Sequence, residues 1–324
     1  MVTTKGESMS DADKPKPLTP VERRLIEQAA VIWDSTATPE ETAYMARQLV
    51  QATLPHSDPG NVPYWSRKNG NLTLAIQPGF DLKTGASYGI PYGSIPRLLV
   101  CFVTSEATTK KTRRIDLGQN MADFMRGIGL DPYTGGGKKG DAARLKQQMA
   151  RFFHARFSFL YEQETAMRGV SDQRDMLVAD RHVDWWDKSN PRQSNLWGSY
   201  VDLSEKFYQA VTAAPVPLDI RALKALKRSP LAIDLYVWLT YEAYRIQRTG
   251  KPRFVAWHLL MEQLGTNYTG EFAENNFQKK VAAALRKIKV IYPGLKLSKG
   301  CGGIGVLPGS LPAVQPKSGI ESRA

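Results

Sequence analysis

A chain of 324 residues with 42% hydrophobic content can bury two ordinary cores, and a net charge of +13 points to a polyanionic partner. It holds no run of roughly 18 or more apolar residues, and Met1-Val2-Thr3-Thr4-Lys5-Gly6 has no apolar run after its charge. Neither a membrane span nor a signal peptide is therefore expected, and the expected protein is soluble and cytoplasmic. Cys101 and Cys301 are spaced for neither a zinc site nor a disulfide framework, so two free thiols and no cofactor are expected.

Residues 1–18 are polar and proline-bearing, the composition of a disordered leader. Thr19-Pro20-Val21-Glu22 and Thr38-Pro39-Glu40-Glu41 each place Thr at an N-cap, Pro at the first helical position and Glu three residues after the cap. They predict short helices running to about Trp33 and Ala52. Leu72, Leu74 and Ile76 alternate with Thr73, Ala75 and Gln77, which predicts a half-buried strand before the turn at Pro78-Gly79. These elements make an N-terminal unit over residues 19–89.

Beyond the glycine-rich bend from Tyr88 to Gly93, residues 96–153 recur 136 positions later. Thr104-Ser105-Glu106-Ala107 falls on Thr240-Tyr241-Glu242-Ala243, Met125 on Met261, Gly129 on Gly265, Leu145 on Val281 and Phe152 on Ile288. The basic Arg144 and Arg151 fall on Lys280 and Lys287. One offset through apolar, glycine and basic positions marks two copies of one supersecondary unit. In the first copy we read an apolar central helix from Pro96 to Lys110, a strand at Arg114–Leu117, a helix from Asn120 stopped by Gly129, and a helix from Asp141 to His154. A hairpin pairing Phe157, Phe159 and Tyr161 with Met176–Trp186 follows. The second copy runs from Ser229 through a strand at Arg253–Ala256, a helix from Trp257 stopped by Gly265, a helix from Phe272 to Ile288, and a hairpin to Leu307. The expected fold class is α+β, mainly helical: two tandem winged-helix domains over 90–198 and 199–307, a short helical N-terminal leader, and a disordered tail over 308–324.

The charge sits in the repeats. Arg97–Glu162 holds 12 basic and 6 acidic residues, and Asp219–Lys299 holds 15 and 6, together a greater excess than that of the whole chain. Nucleic acid is the partner this implies. In the last helix of the second copy, at about 100° per residue, Phe277, Val281, Ala284, Leu285 and Ile288 share one stripe. Asn275, Lys279, Ala282, Ala283 and Arg286 share the opposite one, with Asn276, Lys280 and Lys287 beside it and Lys296 and Lys299 in the hairpin beyond. Small residues let a backbone approach the floor of a groove, Asn and Arg pair with base edges, and lysines reach phosphates, so this face is the candidate for a major groove. In the first copy Leu145, Met149, Phe152 and Phe153 face inward, leaving Ala143, Gln147, Ala150, Arg151 and His154 outward, with Lys138, Lys139 and Arg144 near the helix start. This less basic face fits DNA, through a helix start that favours phosphate, or a protein contact. Leu98, Leu99, Phe102 and Val103 form an apolar face on the first central helix, read as a candidate dimer or switch surface if a small core leaves it incompletely covered, or else as plain core.

Ile90-Pro91-Tyr92-Gly93-Ser94-Ile95-Pro96-Arg97-Leu98-Leu99 and Leu226-Lys227-Arg228-Ser229-Pro230-Leu231-Ala232-Ile233-Asp234-Leu235-Tyr236 resemble the hallmark segments of plasmid replication initiators of the RepA type. The resemblance spans about residues 70–297. It implies a bacterial protein with tandem winged helices that binds repeated double-stranded sites, iterons, at its plasmid's origin, helps open the duplex and recruits the host replication initiator and the replicative helicase. It implies also that monomers bind iterons while a homodimer represses the initiator's own promoter. By matching position, the groove-reading helix falls on Phe272–Ile288.

Enzymatic readings fare poorly. Gly135-Gly136-Gly137-Lys138-Lys139 lacks the earlier glycine and the Ser or Thr after Lys that a phosphate-cradling loop requires. The histidines His56, His154, His182 and His258 are too dispersed for a metal-dependent nuclease. Asp180, His182, Asp184 and Asp187 form the one metal-like cluster, read as a polar sheet face or an interdomain contact rather than a metal site. No enzyme is expected. The competing function is a transcriptional repressor built on the same units.

Overall fold

The computed structural model of the chain describes residues 18–133, 140–164, 169–183, 199–265, 268, 270–300 and 302–314. The N-terminal segment supplies α1 (Pro20–Asp34), β1 (Thr42–Ala46), α2 (Arg47–Gln51), β2 (Trp65–Asn69) and β3 (Leu72–Gln77). The first repeat supplies α3 (Ser94–Lys110), β4 (Arg114–Gly118), α4 (Met121–Gly127), α5 (Asp141–Phe153), β5 (Arg156–Glu164), β6 (Gly169–Leu177), β7 (Ala179–Val183) and β8 (Ser199–Leu203). A connector of α6 (Glu205–Thr212), β9 (Pro215–Asp219) and α7 (Ile220–Leu226) leads to α8 (Pro230–Thr249), β10 (Arg253–Ala256), α9 (Trp257–Leu264), α10 (Ala273–Ile291), β11 (Leu297–Gly300) and β12 (Gly303–Val306). The fold is mixed α/β, and a single buried cluster runs through both repeats and the N-terminal segment.

The central helices α3 and α8 behave as their composition dictates. An apolar surface on all sides requires burial on all sides, and α3 buries ten of its 17 residues and α8 thirteen of its 20. Ser229 caps α8 by accepting from the Ala232 amide, with Pro230 in the first turn. The glycines that end the following helices act differently. Gly129 adopts φ +82°, a left-handed conformation that glycine favours, whereas a Cβ on Gly265 would lie 2.2 Å from the Met261 carbonyl oxygen. The second is a requirement of close approach alone.

Each repeat carries a three-stranded antiparallel sheet in which the last strand lies in the middle, β4-β8-β7 in the first and β10-β12-β11 in the second. Two expectations change here. The hairpin after α5 pairs Phe157 with Met176 as expected, but its second strand starts at Gly169, and it joins β3 in the sheet β2-β3-β5-β6. Ala179–Val183 leaves that hairpin to pair with β8, which lies beyond the expected boundary at residue 198. The N-terminal segment is likewise no separate unit. β3 lies between β2 and β5 in the four-stranded sheet β2-β3-β5-β6, β1 pairs with β9 from Thr42 opposite Asp219 to Ala46 opposite Pro215, and α1 packs on α7 and α10.

Tertiary pairing overrides the second capping box. Its bonds form, Thr38 N to Glu41 Oε2 at 3.0 Å and Glu41 N to Thr38 Oγ1 at 3.3 Å, yet the turn opens into β1 because Ala43, Met45 and Ala46 are buried there. The first box, with Thr19 and Glu22 bonded reciprocally, does start α1. The start of the expected disordered tail is fixed: the Ser310 hydroxyl bonds both the amide and the carbonyl of Lys296, and the Leu311 amide bonds the Gly294 carbonyl. The expected leader, apart from Leu18, and residues 315–324 lie outside the described residues.

Candidate nucleic-acid interface

Helix α10 is held by its apolar stripe. Phe277, Val281, Ala284, Leu285 and Ile288 are buried, and Tyr268 meets Phe277 edge-on at 5.6 Å. Asn275, Asn276, Lys279, Lys280, Ala282, Arg286 and Lys287 are exposed, as the periodicity predicts, while Ala283 is half-buried. Lys289, which the sequence reading passed over, is exposed as well, three residues after Arg286 and so on the same side of the helix. Lys279, Lys280, Arg286, Lys287 and Lys289 have no ion-pair partner among the described residues. Five unneutralised cations, two exposed amides and an exposed Ala282 therefore share one accessible surface. Lys296 is exposed at the start of β11. Lys299 lies on that strand, but its side chain is outside the described residues.

The first repeat does not duplicate this face. Gln147 and Arg144 are exposed, but Arg144 pairs with Asp141 at 3.3 Å, and Lys138 and Lys139 lie outside the described residues. Arg151 corrects the expectation: its residue is only 9% exposed, so it does not offer its charge to DNA. Its guanidinium donates to the Ile90 carbonyl at 3.0 Å and to Asp58 at 3.1 Å and lies 4.9 Å from the centre of the Tyr92 ring. The neighbouring Gln148 accepts from the Tyr92 amide, and Tyr88 stacks on His154 at 4.3 Å. The bend ahead of α3 thus covers the C-terminal half of α5, the half that its counterpart leaves open at Lys287.

The expected dimer face is core. Leu98, Leu99 and Val103 are buried, and Phe102 is half-buried with its ring edge-on to Phe124 at 5.1 Å. The missing cover comes from the N-terminal segment and the connector, since β1 and α6 pack on α3. Cys101 on the same helix is buried, and burial raises its thiol pKa. Asp180 lies near Arg113 at 3.8 Å, the His182 side chain, Asp184 and Asp187 lie outside the described residues, and no group of three metal-ligating side chains occurs among the described residues.

The two hallmark segments meet in the interior. Arg97 Nε and Nη2 donate to the two carboxylate oxygens of Asp234, each at 2.7 Å, and the pair is 2% and 5% exposed. The remaining donors of Arg97 go to the carbonyls of Leu54, Pro55 and Gly93, so all five N–H groups are used. His56 Nε2 adds a third bond to Asp234 at 2.8 Å. Burial lowers the His56 pKa to about 4 against the raising effect of its bond to Asp234, so the ring is neutral and Nε2 carries the proton it donates. Burial alone would raise the Asp234 pKa; the charge of Arg97 and the bonds from His56 and Arg97 outweigh it and hold the carboxyl at about 2. A second buried arginine, Arg67 on β2, bonds Thr53 at 2.9 Å and the Gln263 carbonyl at the end of α9 at 3.0 Å. Burial lowers its pKa to about 10, which leaves it charged at neutral pH. Lys227 in the second hallmark segment donates to the Gly129 carbonyl.

No curated protein matches the chain. Among solved structures, a selenomethionine crystal structure of domains 2 and 3 of RctB is similar with a TM-score of 0.46 at 11% identity, over 84% of this chain and 98% of that one. A second RctB domain 2–3 structure gives 0.41 at 9% identity, over 80% and 94%. The family described as "Plasmid encoded RepA protein" matches residues 90–258, more than half of the chain, a stretch that holds both hallmark segments and stops before α10. The chain therefore belongs to the family of plasmid-encoded RepA proteins, the replication initiators that its hallmark segments resemble.

Proposed function

We propose that this protein initiates replication of a plasmid by binding repeated double-stranded sites at its origin, with α10 as the helix that enters the major groove. The observation that carries this reading is the open face of α10, where Lys279, Lys280, Arg286, Lys287 and Lys289 are exposed, with no ion-pair partner among the described residues, beside Asn275 and Asn276. A buried stripe on one side and unneutralised cations with paired-bond donors on the other suit base edges flanked by phosphates. Each repeat is read as a winged helix, which the order helix, strand, helix, helix and the sheets β4-β8-β7 and β10-β12-β11 support. The α5 face, reduced to Ala143, Arg144 and Gln147, takes the lesser share of contacts. The chain acts without enzymatic chemistry of its own, and opening of the duplex and recruitment of host replication proteins follow from binding.

Potassium permanganate reactivity of thymines beside the bound sites tests the function. An initiator makes thymines in a neighbouring AT-rich stretch reactive. Protection of the sites with no reactive thymines would instead mark a repressor that only occludes its DNA.

A further inference from the structure

Charged side chains are expensive to bury, and an apolar set of the same size often serves stability as well or better. The Arg97–Asp234 pair is therefore an odd choice for the middle of a core, and its place in the fold suggests its use. The repeat offset of 136 carries Arg97 onto Ile233, next to Asp234, and carries Asp234 back onto Leu98, next to Arg97. The two repeats thus touch at equivalent points near the N-terminal ends of α3 and α8, one residue out of step. Apolar contacts slide and rotate at low cost, whereas a two-pronged guanidinium–carboxylate pair with every donor used has one geometry. His56 and the carbonyls of Leu54, Pro55 and Gly93 fix that geometry from the N-terminal segment. Arg67 adds a second strut. It extends from the sheet that holds β5 to the Gln263 carbonyl at the end of α9, and the Gln263 side chain returns a bond to the Val50 carbonyl at 3.1 Å.

We propose that Arg97, Asp234, His56 and Arg67 are positioning residues for DNA recognition, which hold the two repeats at one angle so that α5 and α10 address a site of a single spacing. The inference rests on the DNA-binding reading above. The angle belongs to the free protein, so it is measurable without DNA. With Cys301→Ser removing one native thiol and Cys101 protected by burial, spin labels at Ala143→Cys and Ala282→Cys report the distance between α5 and α10 by double electron–electron resonance.

The wild-type frame should give one narrow distance distribution. Arg97→Met with Asp234→Leu, which removes both charges and keeps an apolar core, combined with Arg67→Met, should broaden it at least twofold. Arg97→Lys, which keeps the charge but loses the two-pronged bond, should broaden it to a lesser degree and covers the case in which the triple variant fails to fold. In the second measurement, two or four base pairs are inserted between the segments protected by the two repeats. The wild type should lose at least tenfold in affinity and the triple variant less than threefold. A narrow distribution in the folded variants overturns the proposal. So does a wild type indifferent to the insertions while Arg286→Ala still weakens binding, and that pattern separates this failure from failure of the DNA-binding reading.

Discussion

Acidification from about pH 7 to about pH 5 should weaken this junction. A histidine whose pKa falls on folding takes up its proton first in the unfolded chain, so the stability gained by keeping His56 neutral is complete above about pH 6.5 and is lost as pH falls towards 4. At about 1.36 kcal/mol per pKa unit, the shift to about 4 removes about 2 kcal/mol between pH 7 and pH 5. Asp234 continues the trend at lower pH. Its carboxyl, held at about 2, stabilises the fold above its unfolded value of 3.8, and that contribution, again about 2 kcal/mol, is lost as pH falls from there to 2. Urea unfolding at pH 7, 6 and 5, followed by tryptophan fluorescence, to which the buried Trp238 contributes, compares the wild type with His56→Gln. Glutamine keeps a donor for Asp234 but does not titrate. The variant should be about 1 kcal/mol less stable at pH 7 and should lose about 2 kcal/mol less on going to pH 5, so that the two curves cross between about pH 6 and 5 and the variant is the more stable by about 1 kcal/mol at pH 5. Parallel curves would refute the reasoning.

Three other outcomes follow from the same geometry. Arg286→Ala and Lys279→Ala should each weaken specific DNA binding by about 1–3 kcal/mol, and Gln147→Ala by less, in a gel-shift titration; equal losses would contradict the unequal faces of α10 and α5. Arg151→Ala should leave the affinity of the folded protein unchanged but lower its stability by about 2–3 kcal/mol, since it removes a buried bond to Ile90, a contact with Tyr92 and a partly screened pair with Asp58. Leu99→Ala should cost about 2–5 kcal/mol of stability by urea titration without changing the sedimentation coefficient of the folded protein, because Leu99 is core and not a dimer face.

What the chain reveals before folding depends on how far away the deciding contacts lie. The central helices, the strand at Leu72–Gln77 and the apolar stripe of α10 were legible because each period is local. Thr38-Pro39-Glu40-Glu41 misled because a sound local cap lost to pairing with β9, more than 170 residues away. Arg151 and Lys287 are equivalent in sequence and opposite in role, since the bend carrying Ile90 and Tyr92, which covers the first, lies about 60 residues upstream. The Arg97–Asp234 pair did leave a trace: a lone cation between Pro96 and Leu98 and a lone carboxylate between Ile233 and Leu235 are out of place on helices apolar all round. That trace says each charge needs a partner, and only the fold says they are each other's.

The central claim, recognition of repeated sites through α10, is tested most directly by hydroxyl-radical footprinting of the protein on DNA flanking its own coding region, wild type beside Arg286→Ala. The wild type should give protected patches that recur at direct repeats, and Arg286→Ala should lose them at the same protein concentration. Protection without repetition, or an identical pattern from the two proteins, would contradict it.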